Sequence, residues 1–146
     1  HKFRRITQIT EVRKEWENDP IKERGFVDLM RYDSQKDELV PTDELINGDS
    51  DVIKAVAANV KEWAGNWNAV WENIILRARV KATLVDFAIK YNMKDLLESS
   101  FVVKSNDMFH KILDSVKEDL GTIDNNRAFF EWNQWINKEI RNRNLR

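Results

Sequence analysis

The residue types that carry out most enzyme chemistry are absent from this chain or scattered along it. It contains no cysteine, which excludes thiol nucleophiles and thiolate metal ligands. Its four glycines lie too far apart for a phosphate-binding loop, which needs closely spaced backbone N–H groups. Its two histidines, His1 and His110, cannot supply the paired ligands of a zinc-binding helix. We therefore predict no catalytic, cofactor-binding or metal site in this chain and no enzymatic activity of its own.

The acidic stretch at residues 43–51 resembles a calcium-binding loop, but the spacing of its oxygen ligands does not fit one. When Gly48 is aligned with the turn glycine of such a loop, Leu45 and Lys54 fall at positions that must supply oxygen ligands. Asp49 and Asp51 are better placed to interact with the N-terminus of a helix. The stretch therefore predicts a helix start and no metal site.

Composition indicates a folded chain with a balanced charge. Of the 146 residues, 42% are hydrophobic and 34% are charged. This hydrophobic content is enough to form a core and is higher than that of disordered chains. A net charge of -1 gives no overall electric field that would attract nucleic acid, so nucleic acid is not an expected partner. Nucleic-acid binding by the helix around residues 77–81 is kept as a third hypothesis. The sequence has no apolar run of about 20 residues, so we expect no membrane span.

The hydrophobic pattern changes its period after Pro41. Residues 4–12, 25–32 and 38–40 carry strand signals, and the last two are joined by a turn-like segment that predicts a hairpin. Beyond them the apolar residues follow helical periods. We therefore predict a mostly α fold, with short N-terminal strands and a hairpin at residues 1–41 followed by a bundle of four to five helices at residues 42–146.

The helical region is divided by caps and glycines. We expect a first helix that is capped by Asp49 or Ser50 and runs to Ala64, and a core helix at residues 67–91. A short helix at 94–99, a buried connector at 101–103, a helix capped by Ser105 and a last helix capped by Asp124 follow. In the first helix the predicted apolar stripe is Val52, Val56, Val60 and Trp63, with Ile53, Ala57 and Ala64 beside them. In the second helix the predicted buried positions are Trp67, Val70, Trp71, Ile74, Ile75, Ala78, Val85 and Ala88.

The last helix holds the candidate interaction surface. Its apolar side carries Phe129, Trp132, Trp135 and Ile136. This side either packs onto the bundle or stays open for a partner, and exposed tryptophans are frequent anchors of interfaces. One hypothesis is therefore a free-standing helical adaptor that binds a partner through this Trp-rich helix.

A second hypothesis comes from a family resemblance. Residues 3–12, FRRITQITEV, resemble the strand that closes the core of secretion and pilus motor ATPases, which often reads R-R-[IV]-x-x-[IV]-x-E-[VI]. A hairpin similar to residues 25–33, GFVDLMRYD, commonly follows in archaeal members, with an acidic turn like residues 37–39. Residues 77–89 and 92–95 are similar to the long helix and turn that come next. The resemblance covers about the first 100 residues and leaves the last forty-odd without a match.

The resemblance implies that the chain is a non-catalytic C-terminal accessory region of a hexameric archaeal type II/IV secretion or archaellum-motor ATPase. The Walker and histidine-box residues of that family have no matching positions here, so ATP and magnesium are expected in the parent core and no cofactor in this chain. The implied partners are the parent core, neighbouring subunits and a membrane platform protein. The implied location is the cytoplasm, peripheral at the inner face of the membrane.

Overall fold

The computed structural model describes residues 2–144, so His1 lies outside the described residues. The chain is mostly helical, at 57%, with a short three-stranded antiparallel sheet near the N-terminus followed by helices. The predicted fold class is therefore confirmed. The chain divides into two compact units, the first ending at Trp71 and the second beginning at Glu72. No helix within the described residues is long and apolar enough to cross a membrane.

The sheet of the first unit has the order β1-β2-β3, with β1 at Gln8–Val12, β2 at Phe26–Asp33 and β3 at Glu38–Pro41. Both neighbouring pairs are antiparallel, and the β1–β2 ladder contains an irregularity between Ile9 and Thr10. The predicted hairpin is thus present. The first strand is shorter than predicted because regular pairing with β2 begins only at Gln8.

Two short helices follow the sheet, α1 at Asp43–Ile46 and α2 at Asp51–Ala57. The Ser50 hydroxyl accepts a hydrogen bond from the backbone N–H of Ile53, so this serine is the N-cap of α2. The predicted helix to Ala64 was too long, since α2 ends at Ala57 and turns follow it. The centre of the predicted stripe was wrong, whereas Ile53 and Ala57, which were predicted beside it, do face inward. Val52 and Val56 are exposed, because α2 instead turns Ala57 and Ile53 inward.

A buried carboxylate joins β1 to the start of α2. Glu11 accepts hydrogen bonds from the Ser50 hydroxyl at 2.5 Å and from the backbone N–H of Asp51 at 2.8 Å. Burial raises the pKa of Glu11, but the bonds from Ser50, Asp51 and Arg13 outweigh burial and leave the pKa below its ordinary value. Glu11 is therefore charged and satisfied inside the first unit.

Helix α3 spans Trp67–Lys90, close to its predicted range. Its first turn belongs to the first unit, where the Trp67 indole N–H donates to the Ile46 carbonyl at 2.8 Å. In the second unit it buries Leu76, Val80, Leu84 and Ala88. The predicted burial of Ile75, Ala78 and Val85 was wrong, since all three are exposed. The helix has two apolar stripes of similar spacing, and its partner helices cover only one.

The second unit is completed by a 3-10 helix at Lys94–Leu97, α4 at Ser99–Leu120 and α5 at Asn125–Asn144. Helix α4 has its N-cap at Glu98, seven residues before the predicted cap at Ser105, so residues 101–103 lie inside it and are not a connector. Ser105 lies in the middle of α4, fully buried, and is not a cap. Gly121 ends α4 with a φ of +72°, a left-handed conformation that favours glycine.

Candidate functional site

An open groove of about 970 Å³ runs along the outer side of α5 in the second unit. We refer to it as the α5 groove. One residue of α3 and nine residues of α5 line it: Arg79, Asn126, Phe129, Phe130, Asn133, Gln134, Trp135, Asn137, Lys138 and Arg141. Between Asn126 and Arg141 the helix rises by about 22 Å, which is room for about four helical turns of a partner or a comparable extended segment.

Helix α5 presents this groove because its opposite side is anchored in the core. The Asp124 carboxylate accepts a hydrogen bond from the backbone N–H of Arg127 at 2.9 Å and begins the helix as predicted. Ala128, Trp132, Ile136 and Ile140 then recur every four residues and are buried. This anchored stripe fixes which residues of α5 face outward.

The structure divides the four residues predicted as an interaction surface. Trp132 and Ile136 are fully buried, and the Trp132 indole N–H donates to the Ser105 hydroxyl at 3.2 Å inside the core. Phe129 and Trp135 are only half-buried, and both line the α5 groove. Two of the predicted residues therefore face the groove, and the other two hold the helix that carries it.

The charged side chains of the groove are all cations. Arg79, Lys138 and Arg141 line it, no carboxylate does, and none of these three forms an ion pair with a described acid. Other cations at α5 are engaged, since Arg127 pairs with Glu131 at 2.9 Å and Arg143 pairs with Asp95. The groove is therefore a local positive surface on a chain whose net charge is -1.

Two of the three aromatic rings that line the groove are in contact with other side chains of the second unit. The Arg79 guanidinium lies 3.7 Å from the ring centroid of Phe129, and Trp135 stacks on Phe101 at 5.9 Å. Phe130 is different, because 55% of its surface is exposed. It is the apolar anchor that the groove offers to a partner.

Sequence reasoning missed Phe130 and the amides around it. They form a stripe along α5 with spacings of three and four residues, made of Asn126, Phe130, Asn133, Asn137 and Arg141. The Asn137 amide donates to the Asn133 side-chain oxygen at 2.7 Å, so neighbouring amides on this stripe support each other. The signal was present in the sequence as a helical repeat of asparagines, residues that rarely occupy helix interiors for stability alone.

A second exposed surface lies on the sheet of the first unit. β1 pairs with β2 on one side, and no strand of residues 2–144 pairs with its other side. The apolar side chains at and before this strand are exposed, with exposed fractions of 76% for Phe3, 65% for Ile6, 41% for Ile9 and 65% for Val12. An unpaired edge beside exposed apolar side chains is a surface that another strand can join.

Metal-binding side chains were sought among the residues that the structure describes. No group of three or more histidine, aspartate or glutamate side chains suited to a metal ion occurs among residues 2–144. Asp49, from the acidic stretch considered as a calcium loop, instead pairs with Arg13 at 2.7 Å and with Arg24 at 2.6 Å. No family model, curated protein or solved structure matches this chain.

Proposed function

We propose that this chain is a non-catalytic protein-interaction module that binds an acidic segment of a partner protein in the α5 groove. The observation that carries the proposal is the charge of the lining, in which Arg79, Lys138 and Arg141 lie without a carboxylate from residues 2–144. Complementary charge directs encounter and selects partners, while the exposed ring of Phe130 supplies apolar contact. The occupant is therefore a segment that carries carboxylates and an apolar residue.

A protein segment fits the groove better than single-stranded nucleic acid. Nucleic-acid bases bind by stacking on open aromatic faces. Here Arg79 covers one face of Phe129, and Phe101 covers one face of Trp135. The four amides in the lining can instead pair with the backbone and side-chain groups of a peptide.

The test is a binding measurement with a defined acidic peptide. The probe is a fluorescein-labelled peptide of leucine and glutamate, about 16 residues long, which spans about 24 Å as a helix. We expect saturable binding that weakens as salt is raised, because the attraction is between exposed charges. Arg141→Glu should weaken the binding by about tenfold, the effect of about 1.4 kcal/mol.

The matched control is Lys111→Glu, which makes the same change of charge at an exposed site on α4 outside the groove. It should leave the affinity within about twofold of the unmodified chain, the loss expected from net charge alone. Equal affinities for Arg141→Glu and Lys111→Glu would mean that the peptide binds by net charge, and the proposal would fail.

The edge of β1 favours a second candidate function, that of an accessory region of a larger ATPase. In this proposal β1 and the exposed side chains from Phe3 to Val12 join the core of a hexameric secretion or archaellum-motor ATPase. The family resemblance of the first 100 residues supports it, and so does an edge strand that can extend a sheet. The proposed setting is the cytoplasmic face of a membrane, beside a platform protein.

This second candidate has a direct test in the coding sequence upstream of His1. We expect a Walker A loop within the couple of hundred codons that precede it, because the nucleotide-binding core of these ATPases lies before the closing strand. A start codon adjacent to His1 would contradict this candidate and would leave the binding function of α5 untouched.

A further inference from the structure

A small cavity in the second unit, separate from the α5 groove, has side-chain hydrogen-bond donors at four of its six lining residues. Its volume is about 90 Å³, about three times the share of one water molecule in the liquid. Helix α3 contributes Arg77, Val80 and Lys81, and helix α4 contributes Asn106, Phe109 and His110. No carboxylate of the described part of the chain lines it. The space accommodates one compact group of a few heavy atoms.

Arg77 is the unusual residue of this cavity. Its guanidinium is half-buried and forms no ion pair with a described carboxylate. Desolvation by burial lowers the pKa of Arg77, whereas carboxylate neighbours raise the pKa of Arg5 and of Arg13. Partial burial of an unpaired cation is unfavourable, so a bound anion would relieve an existing cost.

The neighbours of Arg77 leave its terminal nitrogens available. Its Nε donates to the Oδ1 of Asn73 at 2.8 Å, and the Phe109 ring centroid lies 5.9 Å from the guanidinium carbon. Asn73 itself is buried, and its Nδ2 has no hydrogen-bond partner among the described residues. The hydrogen bond from Nε fixes the orientation of the guanidinium. The two terminal nitrogens remain available, and these can bind an oxyanion in a bidentate manner.

We propose that this cavity is a binding site for a phosphate group, held by Arg77 and Lys81 of α3 and by Asn106 and His110 of α4. Phosphate carries nearly two negative charges at neutral pH and several acceptor oxygens, which match two cations and two further donors. A single carboxylate would leave part of this donor set unused. The shared chemistry covers free inorganic phosphate and a phosphorylated serine, which the experiment separates.

The experiment measures chemical shifts of the isotope-labelled chain during titration with inorganic phosphate and, separately, with O-phosphoserine, against chloride at equal ionic strength. We expect saturable shifts at residues 77–81 and 106–110, with a dissociation constant on the order of 1 mM or tighter. Whichever ligand binds more tightly identifies the source of the phosphate. The same shifts with chloride alone would overturn the proposal.

Two variants and one control complete the test. Arg77→Gln and Lys81→Gln should each weaken phosphate binding at least about fivefold, because each removes a charged donor. Lys81 is exposed, so its variant stays informative if Arg77→Gln disturbs the fold. Lys111→Gln removes a charge on α4 outside the cavity and should have no effect. Equal affinity in Lys81→Gln and Lys111→Gln would also overturn the proposal.

Discussion

Trp132 and Ser105 show how single residues decide which side of α5 is open. The indole of Trp132 is fully buried, and its N–H donates to the hydroxyl of Ser105, which is buried as well. Sequence reasoning placed Ser105 at a helix start, because serine favours N-caps, and kept Trp132 available to a partner. Neither choice could anticipate that a polar pair 27 residues apart forms inside a core. The hydrogen bond between these two side chains forms only when α4 and α5 are packed against each other.

Glu11 is the residue whose charge the first unit depends on most clearly. Its pKa is lowered in the folded chain, so ionised Glu11 stabilises the fold at pH values above the ordinary pKa of about 4.5. That contribution is lost as the pH falls through the lowered pKa. The group therefore supplies stability at neutral pH and not in acid.

We expect Glu11→Gln to lower the free energy of unfolding by about 1–3 kcal/mol at pH 7, because charge-assisted hydrogen bonds to Ser50 and Asp51 are weakened. Urea unfolding of both proteins at a series of pH values measures the difference. It should shrink as the pH is lowered below about 4.5 and toward the folded pKa. A difference that stays constant across this range would show that the charge of Glu11 contributes nothing.

At the scale of elements, the turn between α1 and α2 is held by one glycine against the start of α3. Gly48 has a φ of +87°, and a Cβ added there would lie 2.7 Å from Cγ of Trp67. The Trp67 indole cannot move away without losing its hydrogen bond to Ile46. Gly121, with a φ of +72°, has no atom within 4 Å of an added Cβ.

This contrast predicts different costs for the same substitution. Gly121→Ala should lower the free energy of unfolding by about 1–2 kcal/mol, the strain of a left-handed residue with a side chain. Gly48→Ala should cost about 1–3 kcal/mol more, because overpacking against Trp67 is added. Chemical denaturation of the two variants measures both values. Equal losses would show that Trp67 does not restrain the turn.

Elements were predictable to different degrees for physical reasons. The hairpin, α3, a cap at Asp49 or Ser50 and the cap at Asp124 could be predicted from local patterns, because a turn, a period or a capping oxygen acts within a few residues. The length of α2 and the buried face of α3 could not be predicted from such patterns. Ile75 and Val85 have the hydrophobicity of core residues, but the other stripe of α3 is the one that α4 and α5 cover.

At the scale of the whole molecule, the function that we propose rests on an exposed surface of α5. The sequence indicated α5 as the interaction helix through Phe129 and Trp135, which line the groove. It did not indicate Phe130 or Arg79, since the exposure of a ring and the approach of a cation from another helix are properties of packing. Single cations on a protein surface are common. Only the structure shows that Arg79, Lys138 and Arg141 line one groove with no carboxylate of the described residues among them.

The most direct test of the central claim is to locate the acidic leucine-glutamate peptide on the isotope-labelled chain by chemical-shift mapping. If the α5 groove is the binding site, the largest shifts fall on the outward stripe of α5, at Phe130, Asn133, Asn137 and Arg141, and on Arg79 of α3. They disappear at about 0.5 M salt, where exposed charges are screened over a few ångströms. Shifts concentrated on the exposed stripe of α3 at Ile75 and Val85, or on β1, would contradict the account.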